Sequence, residues 1–494
     1  MKTTRAARPH PEPTPEHGTD HASFPYPDTD YQEDNRGQFH FSTRSGWMND
    51  PTGLIHYRGT YHLYYQHNPH GLAWDTMHWG HATSPDLIHW QQQPIALSPM
   101  IHPGELFTGG GVVDIDNTSG LKDGAHDPIV VFSGTQGVRM FYSLDGGYTF
   151  TPYDDGRIVA LPNGTESRDP KVFRHETTGR WVMVVWSDDH GNGVDFFVST
   201  DLRVWERTSR FAADWLFECP DLTPMEPSDA PGTIRYVLRD ARGSYVVGDF
   251  DGREFRTTWQ EPRTITRNTG GPGGDYYAAQ SFQNMPDGRL VTIGWQGGNH
   301  GTIWTGNASF PVQQRLVATP AGPQVWSTPI DELHLLRRSS TAFGPRLLSP
   351  DAARRLLADQ AATLFELEIV IDVRSSSARR FALRLRTDHD GGAVRDIAYD
   401  MDTGRLDGYD LPAADDGSVS IRLLADRGQL DIFGADGAFY EALNVDFGSG
   451  ACGDGLQLTC DGTLMLRSLS LHQLTSIWPD GATRESGHGV WLCR

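Results

Sequence analysis

The stretch Ser-Pro-Asp-Leu-Ile-His-Trp at residues 84–90 recurs as Ser-Thr-Asp-Leu-Arg-Val-Trp at residues 199–205. Two looser copies, at residues 143–150 and 247–255, keep an Asp-containing turn that ends in an aromatic residue. The closing aromatics follow one another at a spacing that shortens from 60 to 50 residues: Trp90, Phe150, Trp205 and Phe255. A period of this length, filled with short strands and turns, is typical of the blades of a β-propeller.

Each repeat opens with a short segment dense in Gly, Pro or acidic residues. These openings lie at residues 47–53, 107–111, 168–171, 218–221 and 275–280. Five openings predict a propeller of five blades over residues 36–335. The innermost strand of each blade lines the central channel of a propeller. The acidic residues at the starts of blades one, three and four are therefore expected to converge on one cavity: Asp50, Asp169 and Glu218.

The sequence pattern changes after residue 335. Beyond a predicted connector at residues 337–345, apolar and polar residues alternate in six segments: 364–373, 381–386, 419–424, 430–433, 456–459 and 464–472. This alternation predicts a β-sandwich over residues 345–478. The predicted fold is therefore all-β, a five-bladed β-propeller followed by a C-terminal β-sandwich. Residues 1–35, rich in Pro, His and charge, are predicted to be disordered, and the tail at residues 479–494 receives no assignment.

Composition excludes several classes of function. The 494 residues carry a net charge of -21, which argues against nucleic acids and anionic membranes as partners. The 14 Trp and 16 Tyr residues suit a hydroxyl-rich ligand instead, because sugar C–H faces pack on aromatic rings. Neither a CxxC nor an HExxH spacing is present, so we predict no metal and no cofactor. The oligomeric state cannot be inferred.

Two options for localisation follow from the sequence. No run is long enough to span a membrane, and residues 1–20 lack the apolar stretch of a secretory signal. We expect either that the protein stays inside the cell or that a leader is missing from this chain. A polymeric substrate would favour secretion, and imported oligosaccharides would favour the cytoplasm.

The three converging acids match the requirements of glycosidic bond cleavage. One carboxylic acid must protonate the leaving oxygen, and a carboxylate on the other side of the bond attacks the anomeric carbon in retaining enzymes. Glu218 is the predicted acid, since its longer side chain reaches a leaving group and its neighbours are apolar. Asp50, beside the amide of Asn49, is predicted to stay ionised as the nucleophile. Asp169, beside the cation of Arg168, is predicted to stay ionised and to grip sugar hydroxyls.

Each of these motifs also has an ordinary structural explanation. Asn-Asp-Pro at residues 49–51 is typical of an Asx turn, and Arg-Asp-Pro at residues 168–170 is typical of a surface ion pair. The histidines of residues 78–81, His-Trp-Gly-His, are three positions apart and do not share one face of a strand, so this spacing does not favour a zinc site. The recurrence of an acid at the same place in three repeats favours chemistry over these structural explanations.

Together the motifs resemble glycoside hydrolase family 32, the β-fructosidases (invertases, inulinases, levanases and fructosyltransferases). The resemblance rests on Trp-Met-Asn-Asp-Pro-x-Gly at residues 47–53, Arg-Asp-Pro at 168–170 and Glu-Cys-Pro at 218–220, and it extends over residues 38–478. It implies a retaining double displacement with Asp50 as nucleophile, Asp169 as transition-state stabiliser and Glu218 as acid/base. It also implies a set of substrate-binding residues around the terminal fructose: Asn49, Gln66, Trp74, Phe107, Thr108, Arg168, Asp275 and Trp295.

Some positions depart from the family pattern. Thr52 stands where Asn is usual, and Thr108 and Gly110 stand where serines are common. Residues 304–316 replace a Trp- and Arg-rich loop in the fifth blade. That loop helps to shape the site for the leaving group, so the balance between hydrolysis and transfer is left open.

The expected function is that of a retaining β-fructosidase, which removes terminal β-D-fructofuranosyl units from levan, inulin or sucrose-type substrates. The nearest alternative is a fructosyltransferase that uses the same intermediate, with a difructose anhydride as one product. A non-catalytic sugar-binding propeller and a five-bladed arabinan or xylan hydrolase are more distant hypotheses. The preferred linkage, β-2,1 or β-2,6, and exo or endo action are not determined by the sequence.

Overall fold

A computed structural model of the chain describes residues 24–267, 274–388, 392–447 and 453–478. It is built almost entirely of strands, arranged as a five-bladed β-propeller followed by a β-sandwich, as the sequence predicts. Within these ranges no helix is long and apolar enough to cross a membrane.

The first two blades contain nine strands. Blade 1 has β1 (Gly46–Tyr57), β2 (Thr60–Asn68), β3 (His78–Ser84) and β4 (Gln91–Leu97). Blade 2 has β5 (Gly110–Val113), β6 (Ile129–Ser133), β7 (Val138–Ser143), β8 (Thr151–Pro152) and β9 (Ile158–Ala160). Neighbouring strands within each blade are antiparallel.

The other three blades contain fourteen strands. Blade 3 has β10 (Ser167–His175), β11 (Arg180–Ser187), β12 (Gly193–Ser199) and β13 (Glu206–Ala212). Blade 4 has β14 (Asp221–Met225), β15 (Arg235–Arg239), β16 (Ser244–Phe250), β17 (Phe255–Arg256) and β18 (Arg263–Thr264). Blade 5 has β19 (Tyr277–Ser281), β20 (Leu290–His300), β21 (Trp304–Ala308), β22 (Val312–Val317) and β23 (Gln324–Pro329). Blades 5 and 1 are joined because β21 pairs in parallel with the start of β1.

The repeated Asp turns join the third and fourth strands of blades 1 to 4. Oδ1 of Asp86 accepts hydrogen bonds from the backbone N–H groups of residues 88 and 89, at 3.0 and 2.8 Å. Asp201 makes the same two bonds in blade 3, at 3.0 and 2.9 Å. The next residues, Leu87 and Leu202, take positive φ angles of 67° and 62° and are fully buried. The repeat therefore has a local cause, since each Asp side chain ties its own turn.

The sandwich consists of two packed sheets. The larger sheet has β24 (Arg337–Phe343), β25 (Arg346–Leu348), β26 (Phe365–Asp372), β31 (Ser418–Ala425), β32 (Gln429–Gly434), β33 (Phe439–Asn444) and β35 (Leu464–Leu474). The smaller sheet has β27 (Arg380–Thr387), β28 (Arg395–Asp400), β29 (Arg405–Leu406), β30 (Tyr409–Asp410) and β34 (Gly455–Cys460). The single α-helix of the described ranges, α1 (Pro350–Leu356), is capped by Ser349.

Two boundaries differ from the sequence prediction. The predicted connector at residues 337–345 contains β24, which pairs with β35, so the sandwich sheet begins earlier than residue 345. Within the predicted disordered segment 1–35, residues 24–35 pack against the fold, and Tyr31 stacks on Trp478 with ring centroids 3.7 Å apart. The partner of each segment lies more than 100 residues away, which local composition does not reveal. Residues 1–23 and the tail at 479–494 lie outside the described residues.

The propeller and the sandwich share buried contacts. One hydrophobic core contains side chains from blades 1, 4 and 5 together with Phe433, Tyr440 and Trp478 of the C-terminal part. At the same junction His40 lies fully buried between two sandwich carboxylates, with Nδ1 3.0 Å from Asp426 and Nε2 2.9 Å from Asp431. The two parts are therefore joined by both apolar packing and buried charge.

Candidate active site

A cavity of about 220 Å³ opens where the inner strands of the blades begin. Its volume suits a single sugar ring. All of the sequence-predicted site residues except Asp275 line this cavity, together with two residues that the sequence pattern did not single out. The lining residues are Asn49, Asp50, Gln66, Trp74, Met77, Phe107, Thr108, Arg168, Asp169, Glu218, Tyr277 and Trp295.

Asp50 lies in β1 of blade 1. Its Oδ2 accepts a hydrogen bond of 2.7 Å from the Thr108 hydroxyl, and the Cys219 thiol lies 3.4 Å from the same oxygen. The side chain of Asn49 accepts a hydrogen bond from the Asp50 backbone N–H. Asn49 therefore shapes the backbone at Asp50 through its side-chain oxygen.

Asp169 lies in β10 of blade 3, where the register with β11 shifts between Arg168 and Lys171. Its φ of 61° is unusual for a residue other than glycine. The backbone N–H of Cys219 donates a hydrogen bond of 3.1 Å to Oδ2 of Asp169 and so links blade 4 to blade 3. Strained backbone of this kind is found at functional sites, where the surrounding structure holds it in place.

Glu218 immediately precedes blade 4 and also has a positive φ, of 57°. Arg168 donates two hydrogen bonds to its Oε1, at 2.7 and 3.2 Å, and Tyr277 donates one of 2.7 Å to its Oε2. Both oxygens of Glu218 are therefore held by polar donors. Besides the apolar neighbours that the sequence shows, residues distant in sequence therefore supply polar contacts to this carboxyl group.

The electrostatics of the cavity follow from three acids, two of which, Asp169 and Glu218, lie beside the cation of Arg168. Burial raises the pKa of Asp50, and the charges of Asp169 and Glu218 raise it further. Burial also raises the pKa of Asp169, although the neighbouring Arg168 opposes this shift. Both shifts act against the ionised form, so the ionisation of Asp50 and Asp169 stays a prediction. The local sequence shows the adjacent Arg168 but neither the burial nor the convergence of like charges.

The cavity walls are polar near the acids and aromatic at the mouth. Gln66 is fixed by a hydrogen bond of 3.0 Å from its Nε2 to the backbone oxygen of Leu106. Trp74 is 51% exposed and meets Phe107 edge to face, with centroids 6.3 Å apart. Trp295 is buried against Trp47 at 5.9 Å. This arrangement suits a ligand with one ring enclosed and its next unit near an exposed indole.

Comparison with known proteins identifies the family. The sequence model described as "Glycosyl hydrolases family 32 N-terminal domain" matches residues 40–317, which is more than half of the chain. The chain belongs to glycosyl hydrolase family 32. It is 32% identical to a levanase of Bacillus subtilis (strain 168), over 91% of this chain and 72% of that enzyme. It is 27% identical to an extracellular exo-inulinase of Aspergillus niger, over 91% of this chain and 96% of that enzyme.

A solved family 32 fold is also similar. The crystal structure of exo-inulinase from Aspergillus awamori matches with a TM-score of 0.78 at 24% identity, over 91% of this chain and 100% of that one. This likeness shows that the propeller and sandwich arrangement is that of the solved enzyme.

In this family 32 protein, Asp275 lies outside the cavity. Its Oδ1 accepts hydrogen bonds from the backbone and side-chain nitrogens of Asn444, at 2.9 and 3.2 Å, so it contacts the sandwich. Two positions further along, Tyr277 lines the cavity instead. Residues two apart in a strand share a face, but β19 begins only at Tyr277, so this rule does not extend to Asp275. The prediction that Asp275 binds substrate directly has no support from this geometry.

Sequence reasoning missed Tyr277 and Met77. In the sequence, Tyr277 belongs to the segment that opens the fifth repeat, residues 275–280, and no motif distinguishes it from Tyr276. Burial and the neighbouring Glu218 carboxylate raise the pKa of Tyr277, so its hydroxyl stays protonated and donates.

Across the described ranges, no group of three or more His, Cys, Asp or Glu residues is arranged to hold a metal ion.

Proposed function

We propose that this chain is a retaining β-fructosidase that hydrolyses terminal β-D-fructofuranosyl units of fructans or sucrose-type fructosides. The observation that carries the proposal is the convergence of Asp50, Asp169 and Glu218 on one cavity the size of a sugar ring. The relatives named above, a levanase and an exo-inulinase, support the substrate class.

The reaction proceeds in two displacements. In the first, a carboxylate oxygen of Asp50 forms a bond to the anomeric carbon while the bond to the leaving oxygen breaks and Glu218 gives that oxygen its proton. In the second, Glu218 takes a proton from water, the water oxygen bonds to the anomeric carbon, and the ester to Asp50 breaks. Free fructose leaves with its configuration retained, and both carboxyl groups return to their starting state.

The contacts at Asp50 and Asp169 suit these roles. Thr108 holds Oδ2 of Asp50, so we assign Oδ1 to the attack. Asp169 is fixed through its Oδ2 by the backbone of Cys219 and contributes negative charge where the ring becomes oxocarbenium-like. Because the ring gains positive charge in the transition state, a site with three acids binds it more tightly than the neutral substrate.

Arg168 and Tyr277 hold the acid/base. Each binds a different oxygen of Glu218, so the carboxyl group has a fixed plane relative to the cavity. Fixed orientation of the proton donor is worth a large factor in rate, since proton transfer needs a defined distance and angle. The two residues come from blades 3 and 5 and meet Glu218 at the start of blade 4.

A product profile tests the proposal. The protein is incubated in parallel with sucrose, inulin and levan, and products are separated by chromatography. We expect free fructose as the main product, with equal amounts of glucose and fructose from sucrose. An excess of glucose, longer oligomers or a difructose anhydride would instead identify a transferase. No turnover of any of the three substrates would refute the proposal.

Two further observations sharpen the assignment. In a reaction that contains methanol, a retaining enzyme transfers fructose to give methyl β-D-fructofuranoside, and NMR of this product reports the anomeric configuration. An inverted product would exclude Asp50 as a nucleophile. From levan or inulin, release of fructose without intermediate oligosaccharides would establish attack at the chain end.

A further inference from the structure

The strand β33 forms one edge of the larger sandwich sheet, and described residues between blades 4 and 5 form hydrogen bonds with it. On one side of the connection, the backbone N–H of Arg267 donates a hydrogen bond of 3.0 Å to the backbone oxygen of Tyr440. On the other side, Asn444 donates from its backbone and side chain to Oδ1 of Asp275 and from its side chain to the backbone oxygen of Gly274, at 3.4 Å. The start of blade 5 is therefore fastened to β33.

The two residues that follow Asp275 connect this anchor to the cavity. Tyr276 is fully buried and meets Tyr440 edge to face, with ring centroids 5.8 Å apart, and Tyr440 stacks on Phe433 at 4.9 Å. The next residue, Tyr277, lines the cavity instead, and its hydroxyl donates to Glu218 at 2.7 Å. One tyrosine thus packs into the sandwich while its neighbour holds the acid/base.

We propose that the edge strand β33 of the sandwich positions Tyr277, and through Tyr277 the carboxyl group of Glu218, with Asn444 as the main positioning residue. This inference rests on the proposed function, in which Glu218 is the acid/base. It gives the sandwich a part in catalysis in addition to its packing against the propeller. A shift of about 1 Å in a group that orients a proton donor is enough to slow the reaction about 10²-fold.

A contact that only stabilises the fold would behave differently. Its loss would lower the free energy of unfolding and leave kcat unchanged well below the melting temperature. Loss of a positioning contact changes kcat more than KM, because the substrate still binds while the proton transfer is misaligned. The two roles are therefore separated by kinetics and thermal unfolding measured on the same variants.

The test compares Asn444→Ala with two matched variants. Asp275→Asn keeps an oxygen that accepts both hydrogen bonds from Asn444 and is expected to retain kcat within about threefold. Arg315→Ala removes another contact between blade 5 and the sandwich, the hydrogen bond of 3.3 Å to the backbone oxygen of Asp436, and is expected to leave kcat unchanged. For Asn444→Ala we expect kcat on sucrose to fall about tenfold or more, with KM within about threefold.

A double-mutant cycle with Tyr277→Phe identifies the route of the effect. Because Tyr277→Phe removes the hydroxyl that Asn444 is proposed to position, Asn444→Ala should cause no further loss of kcat in that background. An unchanged kcat in Asn444→Ala, or an equal loss in both backgrounds, would overturn the inference. If the wild-type protein hydrolyses fructosides, these results bear on the positioning role alone and leave the proposed function standing.

A spectroscopic readout does not depend on activity. The chain is labelled with 3-fluorotyrosine, and the ¹⁹F resonance that disappears in Tyr277→Phe is assigned to Tyr277. We expect this resonance to shift or broaden in Asn444→Ala and to stay in place in Arg315→Ala. A Tyr277 resonance that is identical in all of these variants would refute the positioning role even if no fructoside were turned over.

Discussion

Arg168 donates two hydrogen bonds to one oxygen of Glu218, at 2.7 and 3.2 Å, while its distance to Oδ2 of the adjacent Asp169 is 3.9 Å. Its guanidinium also lies 4.2 Å from the centre of the Trp186 ring. The sequence placed Arg168 beside Asp169, yet its closest acidic partner is the predicted acid/base of the next blade. One cation thus sets the geometry of two of the three acids.

We predict that Arg168→Lys lowers kcat/KM about 10²-fold or more. Lysine keeps the charge but lacks the planar fork that bonds Glu218 twice and stacks on Trp186. Steady-state kinetics on sucrose measures the effect. The matched control is Arg174→Lys in the same blade, whose guanidinium lies 4.9 Å from the Trp181 ring. Activity of Arg168→Lys within about threefold of wild type would contradict this role.

Asp50→Asn should fold normally and lose activity by about 10⁴-fold or more, because the shape of the side chain is kept while the proposed nucleophile is removed. Circular dichroism and thermal unfolding check the fold, and fructose release checks the activity. Asp116→Asn, an exposed aspartate of blade 2, is the control. Residual turnover within about tenfold of wild type would show that another group is the nucleophile.

Trp74→Ala should act on binding more than on chemistry. The indole is half exposed at the mouth of the cavity, where the unit next to the terminal fructose is expected to lie. Loss of its stacking surface should raise KM for inulin and levan about tenfold and change kcat little. The control is Tyr148→Ala, another exposed aromatic residue, in an outer turn of blade 2. An unchanged KM for both polymers would place the substrate chain elsewhere.

Alkaline pH should weaken the junction between propeller and sandwich. Burial alone would lower the pKa of His40, but hydrogen bonds to Asp426 and Asp431 outweigh it and raise this pKa to about 9. The unfolded value is about 6.5, so the stabilisation is complete below that pH and is lost as pH rises through 9.

The size of this effect is on the order of 2–3 kcal/mol in the free energy of unfolding. Urea denaturation at pH 6.5 and pH 10 measures it. Other groups titrate in this range, so the informative quantity is the difference from His40→Gln, which cannot carry the proton. Equal loss of stability in wild type and His40→Gln would rule out a contribution from the His40 charge.

Local features of the sequence were enough to predict the repeat and the three acids, and the family resemblance supplied most of the other cavity residues. The turn at Asp86 is held by a hydrogen bond to its own side chain, so the same turn can be predicted wherever the same few residues recur. Alternating segments such as residues 464–472 lie in sandwich strands because one face must be buried. Asp50, Asp169 and Glu218 come together because each stands at the same place in its blade.

Contacts between distant residues were not predictable in this way. Nothing near Asp275 in the sequence indicates that its carboxylate accepts a hydrogen bond from Asn444, 169 positions away. Nothing in the sequence shows that Tyr277, and not Tyr276, contacts Glu218. The strand β24 was missed for the same reason, since its pairing partner β35 is distant in the chain.

The sequence by itself determined the blades, six strands of the sandwich and the three acids, because side-chain hydrogen bonds within turns and the period of two in strands are local. Only the tertiary structure decided which donors hold Glu218, how far burial raises the pKa of Asp50, and that β33 anchors the start of blade 5. Those properties depend on the dielectric surroundings and on distances between separate strands, which arise only when the blades and the sandwich pack together.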